Sequence, residues 1–177
     1  MTVMKKENIN KIIKILQNEG VLIFPTDTVF GIGCLFGKDK ALKKLYRIKK
    51  RDKSKKIPLL VSDKRMVREI TENIPSKMYN LIDYFSPGGL TYIVKAKKKY
   101  KKYANTDGTI ALRIPDNKFL LNLIDKLNKP LFATSANISG NKEINDIEKL
   151  KNVFKNKVDA IIPGKAKKNI PSTIISF

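Results

Sequence analysis

Apolar and polar positions follow two patterns along the chain, and together they predict a protein built from both helices and strands. Short uninterrupted apolar runs, of which 21–24 is the clearest, are typical of buried strands. Apolar residues three and four positions apart are typical of amphipathic helices. The predicted strands are 21–24, 58–61, 90–94, 109–114, 131–133, 158–162 and 173–177. The predicted helices are 7–18, 39–48, 63–74, 78–84, 115–127 and 146–153.

Short polar residues and prolines mark where the helices begin and end. Asp39, Asp63 and Asp146 have the short side chain that caps a helix N-terminus, and each precedes a helical pattern. Pro115 predicts the start of the fifth helix, since proline is tolerated in the first turn. Gly20 predicts the end of the first helix.

Segment 90–114 departs from the alternation, because two predicted strands follow one another with no helix between them. Such a pair is typical of an antiparallel hairpin, whereas the other strands alternate with helices. We therefore expect an α/β fold with a twisted, open, mixed sheet (parallel and antiparallel) and flanking helices. The length of 177 residues favours one domain over 1–177, with no additional C-terminal domain.

Small polar residues follow several of the predicted strands. They occupy 26–28 after the first strand, 134–140 after the fifth, and 171–173 before the last. In an open α/β sheet, ligands bind outside the carboxyl ends of the strands. Ordinary turn chemistry explains any one of these segments, since Ser, Thr, Asn and Gly are common in turns. Their recurrence favours one shared polar pocket.

The formal net charge of +21 favours an anionic partner, such as a nucleotide, RNA or an acidic membrane. Five of the 37 basic residues are arginines and the rest are lysines. AT-rich codon usage also produces an excess of lysine on protein surfaces. Part of the positive charge can therefore be explained without any function. No window is apolar enough to span a membrane, and a cytoplasmic location is expected.

The absence of histidine excludes several kinds of catalysis. A Ser-His-Asp or Cys-His nucleophile cannot be built. With Cys34 as the single cysteine, a zinc site made by the protein alone is not expected. Proton transfer would fall to Asp, Glu, Lys, Tyr or the substrate.

Cations and hydroxyls from distant segments are the candidates for a site. Lys49 and Arg51 stand two apart at the end of a predicted helix, where they could clamp phosphates. Arg113 lies in an otherwise apolar strand, which requires either an anionic partner or an exposed face. Ser135 and Asn137 follow a buried strand and can donate to a phosphate or carboxylate.

Two generic nucleotide motifs nearly match and are rejected. A phosphate-binding P-loop would need glycine where Ile32 stands and a hydroxyl where Asp39 stands. A dinucleotide fingerprint would need its third glycine where Phe36 stands. Neither a P-loop NTPase nor a Rossmann dehydrogenase is therefore supported.

The segment 95–105 is rich in lysine, with Tyr100 and Tyr103 between the charges. Such a pattern can bind single-stranded RNA, with bases stacked on the rings and phosphates held by the lysines. A solvated hairpin loop has the same composition, and both interpretations stay open.

Six segments of the sequence together resemble one known family. In chain order they are FPTDTVFGIG, IKKRDKSKKI, SPGGLTYIV, TIALRIPDN, ATSANISG and PSTII. The same motifs occur in this order in the YrdC-like family, and the resemblance covers residues 8–176. Each motif alone is weak, whereas six in order are specific. Two positions depart from the pattern, with Phe30 where tyrosine is common and Asp52 where proline is common.

The resemblance implies a YrdC-like fold with a basic concave face and a threonylcarbamoyl-AMP synthase activity. In this reaction L-threonine, bicarbonate and ATP give threonylcarbamoyl-AMP and pyrophosphate, which makes the enzyme a nucleotidyltransferase. A downstream threonylcarbamoyl transferase then modifies the adenosine beside the tRNA anticodon. Mg²⁺ would be held mainly by the ATP phosphates, with no ligand from protein side chains.

The resemblance also implies roles for individual residues. Those that would contact threonine are Thr28, Arg113, Ser135 and Ser172. Those that would lie along ATP are Lys49, Arg51, Lys55, Thr109, Asn137 and Asn145. Those that would be catalytic are Lys49, Arg51, Ser135 and Asn137.

Two other functions are weighed against the synthase. A non-catalytic RNA-binding module would use the same basic concave face, with tRNA as a candidate partner. Pyrophosphate release that requires both threonine and bicarbonate would separate it from the synthase. A carbamoyl-transferring relative, as in the YrdC-like segment of hydrogenase-maturation proteins, is disfavoured because those chains carry Cys- and His-rich segments that this one lacks.

Overall fold

The computed structural model describes residues 1–166 and 170–177, and over these residues it forms one mixed sheet with helices. The strands are β1 (Thr2–Val3), β2 (Val21–Pro25), β3 (Phe30–Leu35), β4 (Leu59–Leu60), β5 (Leu90–Lys95), β6 (Thr109–Arg113), β7 (Leu131–Ser135), β8 (Ala160–Ile161) and β9 (Thr173–Ser176). The α-helices are α1 (Ile9–Gln17), α2 (Asp39–Lys49), α3 (Lys64–Ile70), α4 (Ser76–Phe85), α5 (Lys118–Leu127) and α6 (Ile147–Phe154). Two 3-10 helices cover Lys6–Asn8 and Lys98–Tyr103.

The strand order is β1-β8-β2-β3-β7-β4-β6-β5-β9. Strand β3 pairs antiparallel with both β2 and β7, so β2 and β7 run in the same direction. Strand β4 runs antiparallel to β7 and parallel to β6. The segment 90–114 forms the predicted antiparallel pair of β5 and β6. The prediction of a mixed sheet is therefore confirmed.

The two faces of the sheet differ, because side chains alternate between faces along each strand. On one face Phe132, Leu59 and Leu112 form a continuous row, and each side chain is at most 2% exposed. This row belongs to the hydrophobic core. The opposite face carries Leu60 and Arg113 in register with one another. That opposite face holds the cavities described below.

Most of the predicted elements are present, but several helix ends differ from the prediction. The side chains of Asp63 and Asp146 cap α3 and α6 as expected, each accepting a backbone N–H three residues ahead. Asp39 lies in the first turn of α2 instead of capping it, because its carboxylate accepts from Tyr103 Oη at 2.9 Å. Helix α5 is capped by Asn117 and begins at Lys118, so its predicted start at Pro115 was three residues early.

The strand β1 was not predicted. Its two residues, Thr2 and Val3, pair parallel with Ala160 and Ile161 of β8. A run this short has no period that the sequence could reveal, and it is held in place by the strand beside it. Within the described residues, no helix is long and apolar enough to cross a membrane.

Candidate active site

A cavity of about 190 Å³, here called the hydroxyl cavity, lies on the open face of the sheet. Its polar wall is made by hydroxyl groups and one guanidinium. The lining residues are Thr26, Thr28, Val29, Gly31, Pro58, Leu60, Thr91, Arg113, Ala133, Thr134, Ser135, Pro171, Ser172 and Ile174. All four residues expected to contact threonine line this cavity, so the structure brings them together.

The register of the sheet explains why these residues meet. Ser135 pairs with Gly31, and Arg113 pairs with Leu60, all on the face opposite the buried row. Gly31 has no side chain, and the ring of Phe24 fills that place, since a Cβ on Gly31 would lie 2.8 Å from it. The cavity therefore lies across the face of the sheet. Its residues do not all come from one carboxyl edge of the sheet, because β6 runs antiparallel to β7 and brings Arg113 from the opposite direction.

Arg113 is held by three groups at the floor of the hydroxyl cavity. Its Nη2 donates to Asp27 Oδ1 at 2.6 Å, and its Nη1 donates to Thr28 Oγ1 at 2.9 Å. Its Nε donates to the carbonyl oxygen of Gly88 at 3.0 Å. The Arg113 and Asp27 side chains are only 8% and 4% exposed, so this is a buried ion pair. The guanidinium is thus fixed in one orientation and its charge is already balanced.

Hydroxyl groups extend the network around the guanidinium. The hydroxyl of Thr26 donates to the carbonyl oxygen of Val29 at 2.6 Å and lies 3.0 Å from the hydroxyl of Thr28. On the other side of the cavity, the hydroxyls of Ser172 and Thr91 lie 2.8 Å apart. Because these bonds order both walls, the cavity is largely pre-formed.

A second cavity of about 410 Å³, here called the cationic cavity, lies beside the first. Its walls come from the end of α2, the loop that follows it, and the segment after β7. The lining residues are Lys49, Lys50, Arg51, Asp52, Lys55, Ser135, Asn137, Ser139 and Gly140. Four lysine or arginine residues against one aspartate make it a site for an anion.

Lys49 does not extend into solvent as a free phosphate clamp. Only 1% of the residue is exposed, and its Nζ donates to three oxygens. These are the carbonyl oxygens of Ser135 (2.6 Å) and Asn137 (3.0 Å) and Asn137 Oδ1 (2.8 Å). Burial, with the nearby Arg51 charge, lowers the pKa of Lys49 to about 8. Lys49 therefore holds Ser135 and Asn137 in place, and its ammonium group is a buried positive charge within the wall of the cavity.

Arg51 closes the lysine-rich loop after α2. Its Nε donates to the carbonyl oxygen of Lys55 at 2.7 Å, and its Nη2 donates to that of Lys56 at 3.1 Å. Asp52 orders the same loop, since its Oδ1 accepts from Ser54 N at 2.8 Å. The start of the loop is set by Lys50, whose backbone is left-handed with φ of 50°. These hydrogen bonds order the loop, which forms one wall of the cavity.

Ser135 lines both cavities. Its hydroxyl donates to Asn137 Oδ1 at 2.9 Å, the same oxygen that accepts from Lys49. Asn137 Nδ2 in turn donates to the carbonyl oxygen of Asn141 at 2.6 Å. Two predicted site residues, Ser135 and Asn137, therefore form one bonded unit at the boundary between the cavities.

Two of the residues expected along ATP lie elsewhere among the described residues. Thr109 begins β6, four residues before Arg113, which is about 13 Å along a strand. Its hydroxyl donates to Asp107 Oδ1 at 2.7 Å and accepts from Asn105 Nδ2 at 3.0 Å. Asn145 Oδ1 accepts from the backbone N–H of Phe30 at 3.3 Å. Neither residue belongs to the walls that the described residues give the two cavities.

Asp27, Thr91 and Ser139 were missed as site residues by the sequence interpretation. Asp27 stands between two threonines in a polar segment, so its position after the first strand was available as a signal. Thr91 lies in a predicted strand, and only the pairing of Thr91 with Ile174 shows that it faces the cavity. Such a pairing cannot be read from a single sequence.

The two tyrosines of the lysine-rich segment 95–105 pack against other aromatic rings. Tyr100 is 8% exposed, and its ring packs 5.3 Å from that of Phe36. The Tyr103 ring packs against Phe36 and Phe132 at 4.8 and 5.3 Å. Tyr100 is therefore buried and unable to stack on a base, whereas Tyr103 is partly buried and packs against the core. The stacking interpretation loses one of its two rings.

The fold and the two cavities define the class of protein. It is a single mixed sheet whose open face carries a hydroxyl-lined cavity and a cationic cavity that meet at Ser135. The family model for Sua5, YciO and YrdC, described as telomere recombination, matches residues 14–177. The chain belongs to this Sua5/YciO/YrdC family.

Similar proteins support the assignment in sequence and in fold. A Coxiella burnetii protein named threonylcarbamoyl-AMP synthase is 33% identical over 159 residues, which cover 89% of this chain and 86% of that one. A Methanocaldococcus jannaschii protein named putative threonylcarbamoyl-AMP synthase is also 33% identical, over 98% of this chain and 84% of that one.

Solved structures share the fold. The chain matches E. coli YciO with a TM-score of 0.89 and 24% identity, covering 99% of this chain and 89% of that one. It matches P. abyssi Sua5, solved in complex with L-threonine, with a TM-score of 0.93 and 23% identity. That match covers all of this chain and 54% of the Sua5 chain, so the present chain spans about half of it.

Proposed function

We propose that this protein is a threonylcarbamoyl-AMP synthase and therefore a nucleotidyltransferase. It would condense L-threonine, bicarbonate and ATP to threonylcarbamoyl-AMP, with release of pyrophosphate and water. The observation that carries the proposal is that Ser135 lines both the hydroxyl cavity and the cationic cavity. A two-substrate reaction needs adjacent sites of different chemistry, and relatives at 33% identity bear the name of this synthase.

Threonine would bind in the hydroxyl cavity. Its carboxylate is suited to the fixed guanidinium of Arg113, since arginine recognises carboxylates through a rigid fork. The hydroxyls of Thr28, Ser135 and Ser172 surround the same space and can bond the amino acid's polar groups. The apolar part of the wall, which includes Val29 and Ile174, suits its methyl group. The P. abyssi Sua5 complex, a neighbour in fold, also holds L-threonine.

The ATP phosphates would bind in the cationic cavity. Lys50, Arg51 and Lys55 supply charge there, and Lys49 adds a buried charge behind the wall. Among the described residues, no group of three or more His, Cys, Asp or Glu could hold a metal. A Mg²⁺ ion that arrives with ATP would therefore take its ligands from the phosphate oxygens and water, which is a usual arrangement for this ion.

The reaction needs no nucleophile from the protein. Threonine and bicarbonate form a carbamate with loss of water, and a carbamate oxygen attacks the α-phosphorus as pyrophosphate leaves. An anion then attacks a polyanion, so catalysis consists mainly of holding the two together and neutralising their repulsion. Arg113 would hold threonine on one side of Ser135, and the cations of the α2 loop on the other side would neutralise the phosphates.

The remaining partners follow from the same reaction. Bicarbonate would enter between the two cavities, near Ser135. A downstream transferase would consume the reactive product and modify tRNA, and both proteins would work in the cytoplasm. The net charge of +21 would favour direct contact with tRNA, as expected for an anionic polymer.

Pyrophosphate release tests the proposal. With purified protein, Mg²⁺ and ATP, pyrophosphate should form only when threonine and bicarbonate are both present. Serine should be a poorer substrate, because one missing methyl in a fitted pocket typically costs about 1–3 kcal/mol. Equal release without threonine would contradict the proposed function and favour a simple ATPase or a non-catalytic RNA-binding module.

A further inference from the structure

Most polar groups in the wall of the cationic cavity are already bonded to other protein groups. The three protons of the Lys49 ammonium go to three oxygens of Ser135 and Asn137. The Ser135 hydroxyl and the Asn137 amide donate within the same segment. These groups order the wall, and a phosphate entering the cavity would find their donors in use.

Ser139 differs from the bonded groups of this wall. Its hydroxyl oxygen is buried and has no hydrogen-bond partner among the described residues. Its backbone is firmly placed, since its N–H donates to the carbonyl oxygen of Lys49 at 2.9 Å. The turn that holds it is closed by Asn141 N donating to the carbonyl oxygen of Ile138 at 3.0 Å, with Gly140 at φ of 88°. A buried hydroxyl without a partner is uncommon and calls for an explanation.

We propose that the Ser139 hydroxyl is a phosphate-binding donor of the cationic cavity, for the oxygens of a nucleoside triphosphate. The proposal rests on the proposed function, in which the triphosphate occupies this cavity. No bond holds the hydroxyl in its present rotamer, and serine has three staggered rotamers about one torsion. Because Ser139 lines the cavity, a rotation about Cα–Cβ is the movement that would bring its oxygen to a bound phosphate. There the hydroxyl donates its proton to a charged oxygen, which is a strong kind of hydrogen bond.

Ser62 provides a matched control. Its hydroxyl oxygen is also buried and also lacks a partner among the described residues. It follows β4 on the chain, and it is absent from the described walls of both the hydroxyl cavity and the cationic cavity. Changing Ser62 to alanine also removes one buried hydroxyl that has no hydrogen-bond partner among the described residues, but at a position outside the two cavities.

The experiment measures the binding of ATP and of inorganic triphosphate by calorimetry to the full chain, Ser139→Ala and Ser62→Ala. Ser139→Ala should weaken both ligands about ten- to a hundred-fold, the usual loss for one hydrogen bond to a charged group. An equal loss for both ligands indicates contact with phosphate, not with the base. Ser62→Ala should leave both affinities unchanged. Neither variant should melt below the wild type, since neither loses a hydrogen bond made in the free protein.

The outcomes separate this inference from the proposed function. If the wild type binds ATP and Ser139→Ala binds it equally well, the inference is overturned and the proposed function stands. A lowered melting temperature for Ser139→Ala, or an equal loss of affinity in both variants, would also overturn it by giving the hydroxyl a structural role. If the wild type binds neither ATP nor inorganic triphosphate, the proposed function fails first and the inference fails with it.

Discussion

The buried ion pair between Arg113 and Asp27 offers a sharp test of how the hydroxyl cavity is held. Asp27→Asn keeps the shape of the side chain and an oxygen that can accept from Nη2, but it removes the negative charge. The pair is joined at 2.6 Å, and its side chains are 8% and 4% exposed. The guanidinium of Arg113 would then be buried with hydroxyl, carbonyl and amide partners but no anion.

The size of the effect follows from burial. Removing one partner of a buried ion pair typically costs about 3–5 kcal/mol, because the other charge is left uncompensated. Since asparagine still accepts a hydrogen bond, we expect the low end, about 3 kcal/mol. For a chain of this length that corresponds to a fall of roughly 6–12 °C in Tm. The matched control is Glu148→Gln, which breaks an exposed pair with Lys151 and should cost under about 0.5 kcal/mol.

Urea unfolding of the two variants, followed by circular dichroism, measures this difference. The unfolding midpoint of Asp27→Asn should fall well below the wild type with an unchanged slope, whereas that of Glu148→Gln should stay close to it. Threonine should restore part of the lost stability of Asp27→Asn, because its carboxylate supplies the missing anion and a bound ligand stabilises the folded state. If both variants unfold at the same urea concentration as the wild type, the Arg113–Asp27 pair does not stabilise the cavity.

Two further predictions concern titratable groups. The pKa of Lys49 is lowered to about 8, so a polyanion bound nearby should raise it again and ATP binding at pH 8 should take up protons. Calorimetry in buffers of different ionisation enthalpy should detect this proton uptake, and Lys49→Met should abolish it. The affinity for ATP should fall as the pH rises above about 8. Burial raises the pKa of Cys34 to about 12, so its thiol should react with a maleimide at pH 8 only in denaturant. Rapid labelling of the folded protein, followed by mass spectrometry, would show that the centre of the sheet opens.

Much of the fold was predictable because its signals are local. The run 21–24 is apolar and short, and Asp63 and Asp146 carry the side chain that a helix start requires, so these elements were placed correctly. The start of α5 was misplaced because Pro115 suits a first helical turn, whereas the helix begins after the cap that Asn117 provides. Strand β1 was missed because its two residues are ordered by β8.

The sequence predicted which residues line the cavities better than it predicted their hydrogen-bond partners. The sequence showed that Arg113 needed an anionic partner or an exposed face, and the structure supplies Asp27 as that partner. Lys49 was expected to reach a ligand, but it lies inside the wall, bonded to Ser135 and Asn137. These contacts join residues 86 to 88 positions apart. Such pairings depend on the register and twist of the sheet, which no local pattern specifies.

The most direct test of the synthase assignment follows the carbon of bicarbonate into a nucleotide. Purified protein is incubated with ATP, Mg²⁺, L-threonine and ¹³C-labelled bicarbonate. The nucleotides are then separated and their masses are measured by mass spectrometry. We expect an adenylate that contains threonine and one labelled carbon, formed together with pyrophosphate and absent when threonine is omitted. Pyrophosphate release with only unlabelled AMP as the nucleotide product, or no turnover with all substrates present, would contradict it.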